Sequence, residues 1–180
     1  MVAMNRAQWL LARFDGSEYR LCRGLNRGVE WPWFLKIMRV SSRLGDGALW
    51  GGLLIALPLL YGSAALRVVL IMTATGLSGH FIYRRLKASL VRERPFIRHP
   101  AINLAMAPLD RYSFPSGHTM HAVSFAWQAV AHFPALSWAL LPAAALIAVS
   151  RVVLGLHYPT DVLAGAAVGA LLAACGLALA

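Results

Sequence analysis

Residues Thr119 to Ser150 read TMHAVSFAWQAVAHFPALSWALLPAAALIAVS, a run without one Asp, Glu, Lys or Arg. A helix crossing a bilayer needs about 20 apolar residues, so the run is too long for one crossing. His132-Phe133-Pro134 in its middle reads as a tight turn, since proline cannot continue the helix before it. The stretch therefore folds as two antiparallel spans. Outward from it, Val162 to Ala180 is uncharged and supplies another span, and Ala48 to Leu66, bounded by Asp46 and Arg67, supplies one more. Val68 to Tyr83 is a shorter span that ends in Arg84-Arg85-Leu86-Lys87, cations able to snorkel to an interface. The fold class is all-α, a multi-spanning helical membrane bundle of about five transmembrane helices.

Composition agrees. Hydrophobic residues make up 59% of 180 positions and charged residues 13%, against about 25% charged in soluble domains. A net charge of +10 raises the question of nucleic acid, but the nearly apolar second half offers no broad basic face to water. No nucleic acid is expected, and the bilayer with its anionic lipids is the expected partner of these cations. Cys22 and Cys175 stand far apart, without metal spacing or a disulfide framework, and are structural.

The first apolar stretch, Trp9-Leu10-Leu11, is cut at once by Arg13 and Asp15, which does not fit a cleavable signal peptide. Residues 5 to 44 mix Trp9, Leu10, Phe14, Trp31, Trp33, Phe34, Ile37 and Met38 with eight Arg or Lys. Residues 1–47 are thus expected to be an interfacial amphipathic segment, rings in the aromatic belt and cations toward phosphates, preceding a single membrane domain, 48–180. An amphipathic helix packed on the bundle would use the same periodicity.

Three clusters interrupt this apolar plan: Lys87 with Arg94-Pro95, Pro115-Ser116-Gly117-His118, and Ser150-Arg151 followed by His157 and Asp161. Ionisable groups at a membrane boundary are costly and are kept mainly for a task. Antiparallel threading brings all three clusters to one side of the bilayer, although they are scattered over some 75 positions.

Each residue type then has a chemical reason to be there. A phosphoryl transition state spreads charge over equatorial oxygens, so cations and N–H groups aimed at them lower the barrier. Lys87, Arg94 and Arg151 supply the cations. Ser116 adds a hydroxyl at a turn into a helix N-terminus, where Gly117 permits close backbone approach and the free N–H groups favour an anion. His157 can attack phosphorus as a neutral imidazole, with Asp161 holding its other ring nitrogen. His118 can protonate the leaving alkoxide and later activate water.

Lys87-x6-Arg94-Pro95, Pro115-Ser116-Gly117-His118 and Ser150-Arg151-x5-His157-x3-Asp161 resemble the three signature motifs of the type-2 phosphatidic-acid phosphatase superfamily, the lipid phosphate phosphatases. The resemblance covers roughly residues 48 to 175 and fills every motif position in order. It implies a helical membrane bundle that dephosphorylates a lipid through a phosphohistidine, without metal or other cofactor. Its substrates would be lipid phosphates of the undecaprenyl pyrophosphate, phosphatidylglycerol phosphate or phosphatidic acid type. Bacterial members commonly have six spans, and here the N-terminal segment looks too charged to be the sixth.

Other readings are weaker. His118, His157 and Asp161 as metal ligands would place a divalent ion among three cations that repel it. Vanadate-dependent haloperoxidases share the motifs but are soluble. A non-catalytic lipid-binding or scramblase-like protein would have no use for both a nucleophile and a proton donor. Arg84, Arg85, Arg92, Arg98 and Arg111 are expected to be interfacial anchors. His80, His99, His121 and His132 are expected to make polar contacts between helices or with headgroups, and Glu93 and Asp110 to pair with a neighbouring arginine. Gly165 and Gly169 mark close helix packing. Five spans put every Lys and Arg except Arg67 on the site's side, so the positive-inside rule places the site at the cytoplasmic face. The resemblance implies a bacterial-type cell membrane with the site facing the periplasm or exterior.

Overall fold

The computed structural model describes residues 6–180, with side chains from residue 16 onward. It is helical, with no strand among the described residues. Helix α1 (Arg6–Asn26) leads through a single 3-10 turn, Arg27–Glu30, into α2 (Pro32–Arg43). Pro32 opens α2, where its missing N–H costs nothing and its fixed φ suits the first turn. A wide π-type turn, Leu44–Ala48, joins α2 to α3 (Leu49–Tyr61); there Gly47 has φ 120°, a conformation glycine adopts without steric cost. Helix α4 (Ala64–Ser89) and the short α5 (Pro95–Arg98) precede a long loop, and α6 (Gly117–His132), α7 (Ser137–Val153) and α8 (Pro159–Ala178) complete the chain.

The expected bundle of about five apolar helices is present as α3, α4, α6, α7 and α8. Two boundaries differ. The first span ends at Tyr61 instead of Leu66, because Gly62 at φ 68° turns the chain back. The second starts at Ala64 and runs to Ser89, so Arg67 and Arg84 to Lys87 lie within α4 and not beyond its ends. By length and composition four helical stretches can cross a bilayer: Pro32–Tyr61, Ala64–Ser89, Pro134–Val153 and Pro159–Ala178. Helix α6 is shorter, at 16 residues, and is the most enclosed, half of it buried against α4, α7 and α8.

The most extensive contact is α6 on α8. A Cβ on Gly165 would lie 2.4 Å from the Ser116 carbonyl oxygen, and one on Gly169 would lie 2.3 Å from that of Met120. The two backbones touch, as the glycine spacing predicts. Across the bundle Trp50 stacks on Phe125 with centroids 5.7 Å apart, and Leu57, Met72, Ala122 and Ile147 are fully buried. Gln128, the interior amide of α6, donates to the Thr75 hydroxyl at 2.9 Å and the Ser124 carbonyl at 3.1 Å, so no polar group of its own is stranded in apolar surroundings.

The N-terminal helices are fastened to this bundle. Helix α2 packs along α7, and α1 packs on α7 and α8. Cys22 is fully buried, and Asn26 donates to the Val153 and Asn103 carbonyls at 2.9 and 3.0 Å while accepting from the Asn103 N–H at 2.7 Å. Trp31 and Trp33 face outward and stack on each other. The side chains of Trp9, Leu10 and Phe14, expected in the aromatic belt, lie outside the described residues.

Candidate active site

The first cluster forms where α4 stops. Lys87 is in the last turn of α4, and Arg94, forced into an extended conformation by the proline after it, has φ −74° and ψ 153°. The Arg94 guanidinium is buried and works at both ends. Its Nη2 donates to Asp110 Oδ1 at 2.8 Å and its Nε to the Asp110 carbonyl at 3.1 Å. Its Nη1 donates to the Leu156 carbonyl at 2.7 Å and lies 3.3 Å from His157 Nε2. Lys87 bonds the same Asp110 oxygen and the Tyr112 carbonyl, and the Tyr83 hydroxyl donates to the other Asp110 oxygen. Burial alone would raise the Asp110 pKa, but the bonds from Lys87 and Tyr83 and the charges of Lys87 and Arg94 outweigh it and hold the carboxyl below its ordinary value. The expected pairing of Asp110 with an arginine is found, and Lys87 shares it. Glu93 is exposed.

The third cluster forms where α7 turns into α8. Gly155, at φ 76°, reverses the chain, and a Cβ there would strike the Asn103 carbonyl at 2.7 Å. The reversal buries His157 against Arg94. Burial, then the charges of Arg151, Arg94 and Lys87, hold its pKa well below 6.5, so the imidazole is neutral. Its Nδ1 lies 3.6 Å from Asp161 Oδ2, one turn into α8 and longer than a hydrogen bond. The Asp161 carboxylate meanwhile accepts from the Tyr158 N–H at 2.8 Å and from Arg92 Nη1 at 2.6 Å.

Arg92 corrects one expectation. It is buried and not an interfacial anchor, because two carboxylates neutralise it: Asp161 on one side and Glu18 of α1, at 2.6 Å from its Nη2, on the other. Burial works against its charge, but these two partners more than offset that and raise its pKa. Its guanidinium also lies over the Tyr158 ring, 3.9 Å from the centroid. Glu18 accepts from the Thr160 N–H at 2.7 Å as well, tying α1 to the first turn of α8.

The second cluster enters from α6. The Ser116 N–H donates to the Asp161 carbonyl at 3.0 Å, which joins the second and third clusters through backbone, while the Ser116 hydroxyl pairs with Thr119 at 3.0 Å. Gly117 lies against the Tyr83 ring, 2.8 Å from where a Cβ would be. His118 Nε2 lies 2.6 Å from Asp46 Oδ1. Arg151 is buried, with Nη1 bonded to the Ser42 hydroxyl and Nε without a protein partner. His121 links α6 to α4 as expected, through the Gly117 and Gly76 carbonyls at 2.9 and 3.3 Å.

A cavity of about 340 Å³ opens beside the start of α6, bordered by Asp46, Tyr83, Asp110, Gly117 and His118. It continues, through Gly45, Asp46, His80 and His121, into a largely apolar groove of about 420 Å³ between α3, α4 and α6. Lys87, Arg94, Ser116, Gly117, His118, Arg151, His157 and Asp161 are therefore assembled on one side of the bundle. Sequence reasoning did not find Glu18, Ser42, Asp46, Tyr83 or the role of Arg92. The one local signal among them is Asp46, an acid between two glycines beside a span.

The PAP2 superfamily profile matches residues 64–179, all three clusters included. Decaprenylphosphoryl-5-phosphoribose phosphatase of Mycobacterium tuberculosis is 34% identical over 148 residues, 79% of this chain and 78% of that protein. The solved structure of Aquifex aeolicus LpxE superposes with a TM-score of 0.77 at 27% identity, covering 88% of this chain and 93% of the other. The PAP2-type phosphatidylglycerolphosphate phosphatase of Bacillus subtilis shares the fold, with a TM-score of 0.73 at 24% identity over 93% of this chain and 86% of the other. With its motifs gathered at one end of a multi-pass helical membrane bundle, the chain belongs to the PAP2 superfamily and is a phosphatase of that family.

Proposed function

We propose that this protein hydrolyses the phosphate monoester or pyrophosphate of a membrane lipid through a phosphohistidine at His157. One observation carries the reading: a buried imidazole whose Nε2 lies 3.3 Å from the Arg94 guanidinium, with the charges of Arg151 and Lys87 also acting on it and keeping it neutral. Nε2 attacks phosphorus as the bond to the leaving oxygen breaks. Arg94, Arg151 and Lys87 hold the equatorial oxygens, joined by the N–H groups at the start of α6, and Arg151 Nε is a buried donor suited to this. His118 gives its proton to the leaving oxygen, then takes one from the water that cleaves the phosphohistidine. Asp161, at 3.6 Å, stabilises the positive ring of the intermediate, and Arg92 fixes that carboxylate.

The pocket grips only the phosphate, and the adjoining apolar groove takes the hydrocarbon chain. Undecaprenyl pyrophosphate, phosphatidylglycerol phosphate and phosphatidic acid are the substrates to try. Purified protein incubated with each, with and without a chelator, should release phosphate from at least one, unaffected by chelation. No release from any of them, or loss of release on chelation, defeats the reading.

We place the site on the outer face of a bacterial-type cell membrane, as the family resemblance implies and against the charge count, which still stands at twelve cations to one when the buried Lys87, Arg92, Arg94 and Arg151 are set aside. Ala101→Cys, at an exposed position of the site-side loop and in a Cys175→Ser background, decides this. Labelling of intact cells by an impermeant thiol reagent is expected, and protection until lysis would reverse the orientation.

A further inference from the structure

The geometry points to Asp46 as a positioning residue, the carboxylate that orients the proton-donating His118 and pairs with the ring when it carries its proton; this rests on the reading of His118 as general acid. Asp46 lies outside the residues matched by the family profile, and three features of its surroundings converge on one contact. Its carboxylate lies 2.6 Å from His118 Nε2. Gly45, just before it, packs so closely that a Cβ would sit 2.8 Å from His118 Cδ2 and 2.9 Å from Ile147 Cγ2. Gly47, just after it, takes φ 120° and breaks the helical path there. Both glycines are thus needed to bring this one carboxylate onto this one ring.

The chemistry gives the contact its purpose. A pocket that binds phosphate must be rich in cations, whereas an imidazole that donates a proton must first carry it as a positive charge. Burial of the ring, then Arg151 from α7 and His121 from its own helix, oppose a positive charge on His118, and the bond to Asp46 works the other way. Tyr83 and His80 of α4 and Asp110 border the same cavity, but the Asp110 carboxylate is taken by Lys87, Arg94 and Tyr83. Asp46 is therefore the carboxylate bonded to His118 among the described residues. As the P–O bond breaks, its electron pair goes to the lipid oxygen and the His118 proton follows; Asp46 stays a carboxylate throughout and also fixes the ring's orientation.

The test uses leaving groups that differ in their need for that proton. In Asp46→Asn, the rate of phosphoenzyme formation from an alkyl lipid phosphate should fall roughly tenfold to a hundredfold, as for other groups that orient a reacting residue. With p-nitrophenyl phosphate, whose phenolate leaves without help, the loss should be several times smaller. In a His118→Ala background, Asp46→Asn should cost nothing further, since it acts through that ring. Equal losses with both leaving groups, or losses that multiply in the double variant, overturn the role of Asp46. If His118→Ala is itself indifferent to the leaving group, the general-acid reading fails first and Asp46 falls with it. Asp46→Ser, with thermal melting in detergent, separates misfolding from chemistry: a correctly melting variant with the same leaving-group pattern supports the role, and one with full activity removes it.

Discussion

Residues 64–179 and the residues before them contribute to the site in opposite ways. The later region carries the cations and imidazoles that would meet a phosphate, and these resemble other PAP2 proteins. The earlier region carries none of them, yet Ser42 and Asp46 grip two, Arg151 and His118, and Glu18 grips Arg92, which in turn holds Asp161. Buried like charges repel one another when no anion lies between them, so a phosphate pocket has to be held together by groups that are not phosphate. The N-terminal helices supply part of that holding. Reacting groups and holding groups should therefore fail differently when removed.

The largest effect belongs to the reacting side. His157→Ala should lower phosphate release by roughly 10³-fold or more and abolish covalent labelling while the helical fold persists, since no covalent intermediate can form without the nucleophile. Near wild-type turnover would end the phosphohistidine mechanism. Arg151→Lys comes next, with a loss of about tenfold or more in kcat/KM, because a point charge cannot reproduce a guanidinium that reaches Ser42 with one nitrogen and keeps Nε for another acceptor. Normal kinetics would make Arg151 a structural residue.

On the holding side the balance should tilt from rate to stability. Glu18→Ala leaves Arg92 buried with half of its counter-charge, a change that costs on the order of 3 kcal/mol. Thermal unfolding in detergent should show the loss, with a smaller fall in activity at low temperature. If activity collapses with no change in melting, α1 belongs to the chemistry and the division between the regions fails. The smallest effect concerns pH. His157 must be neutral to attack, and its pKa lies below 6.5, so acid removes the nucleophile only well below that pH. The pre-steady-state burst with p-nitrophenyl phosphate should thus hold nearly constant down to about pH 6. A decline centred at 6.5 or above would mean the ring is solvated.

The same division decided what could be read from the sequence. His118, Arg151 and His157 are legible because each sits near the end of an apolar run, Lys87 and Arg94 because their spacing fills a motif, and threading says which ends meet. Arg92 was misjudged because its neighbourhood in sequence is a basic run; its burial depends on Glu18, 74 positions away. Asp46 reads as a boundary charge for the same reason, its partner being 72 positions on. Helix boundaries erred where one glycine, Gly62, ended a span that hydropathy would have continued. Hydropathy records which segments avoid water, but not which buried charges find one another.

The glycine seam between α6 and α8 has a mechanical consequence. At Gly165 and Gly169 backbone meets backbone, with no side chain between the helix that begins beside His118 and the helix that follows His157. A joint of that kind has no compliance, so the spacing of the two histidines behaves as a fixed gauge. Accommodating a thicker or thinner lipid is left to the opposite wall, α3 and α4, where the groove is lined by replaceable side chains such as Leu54 and Leu77. A lineage could thus retool this protein for a new lipid by altering that wall, without resetting the instrument that breaks the phosphate bond.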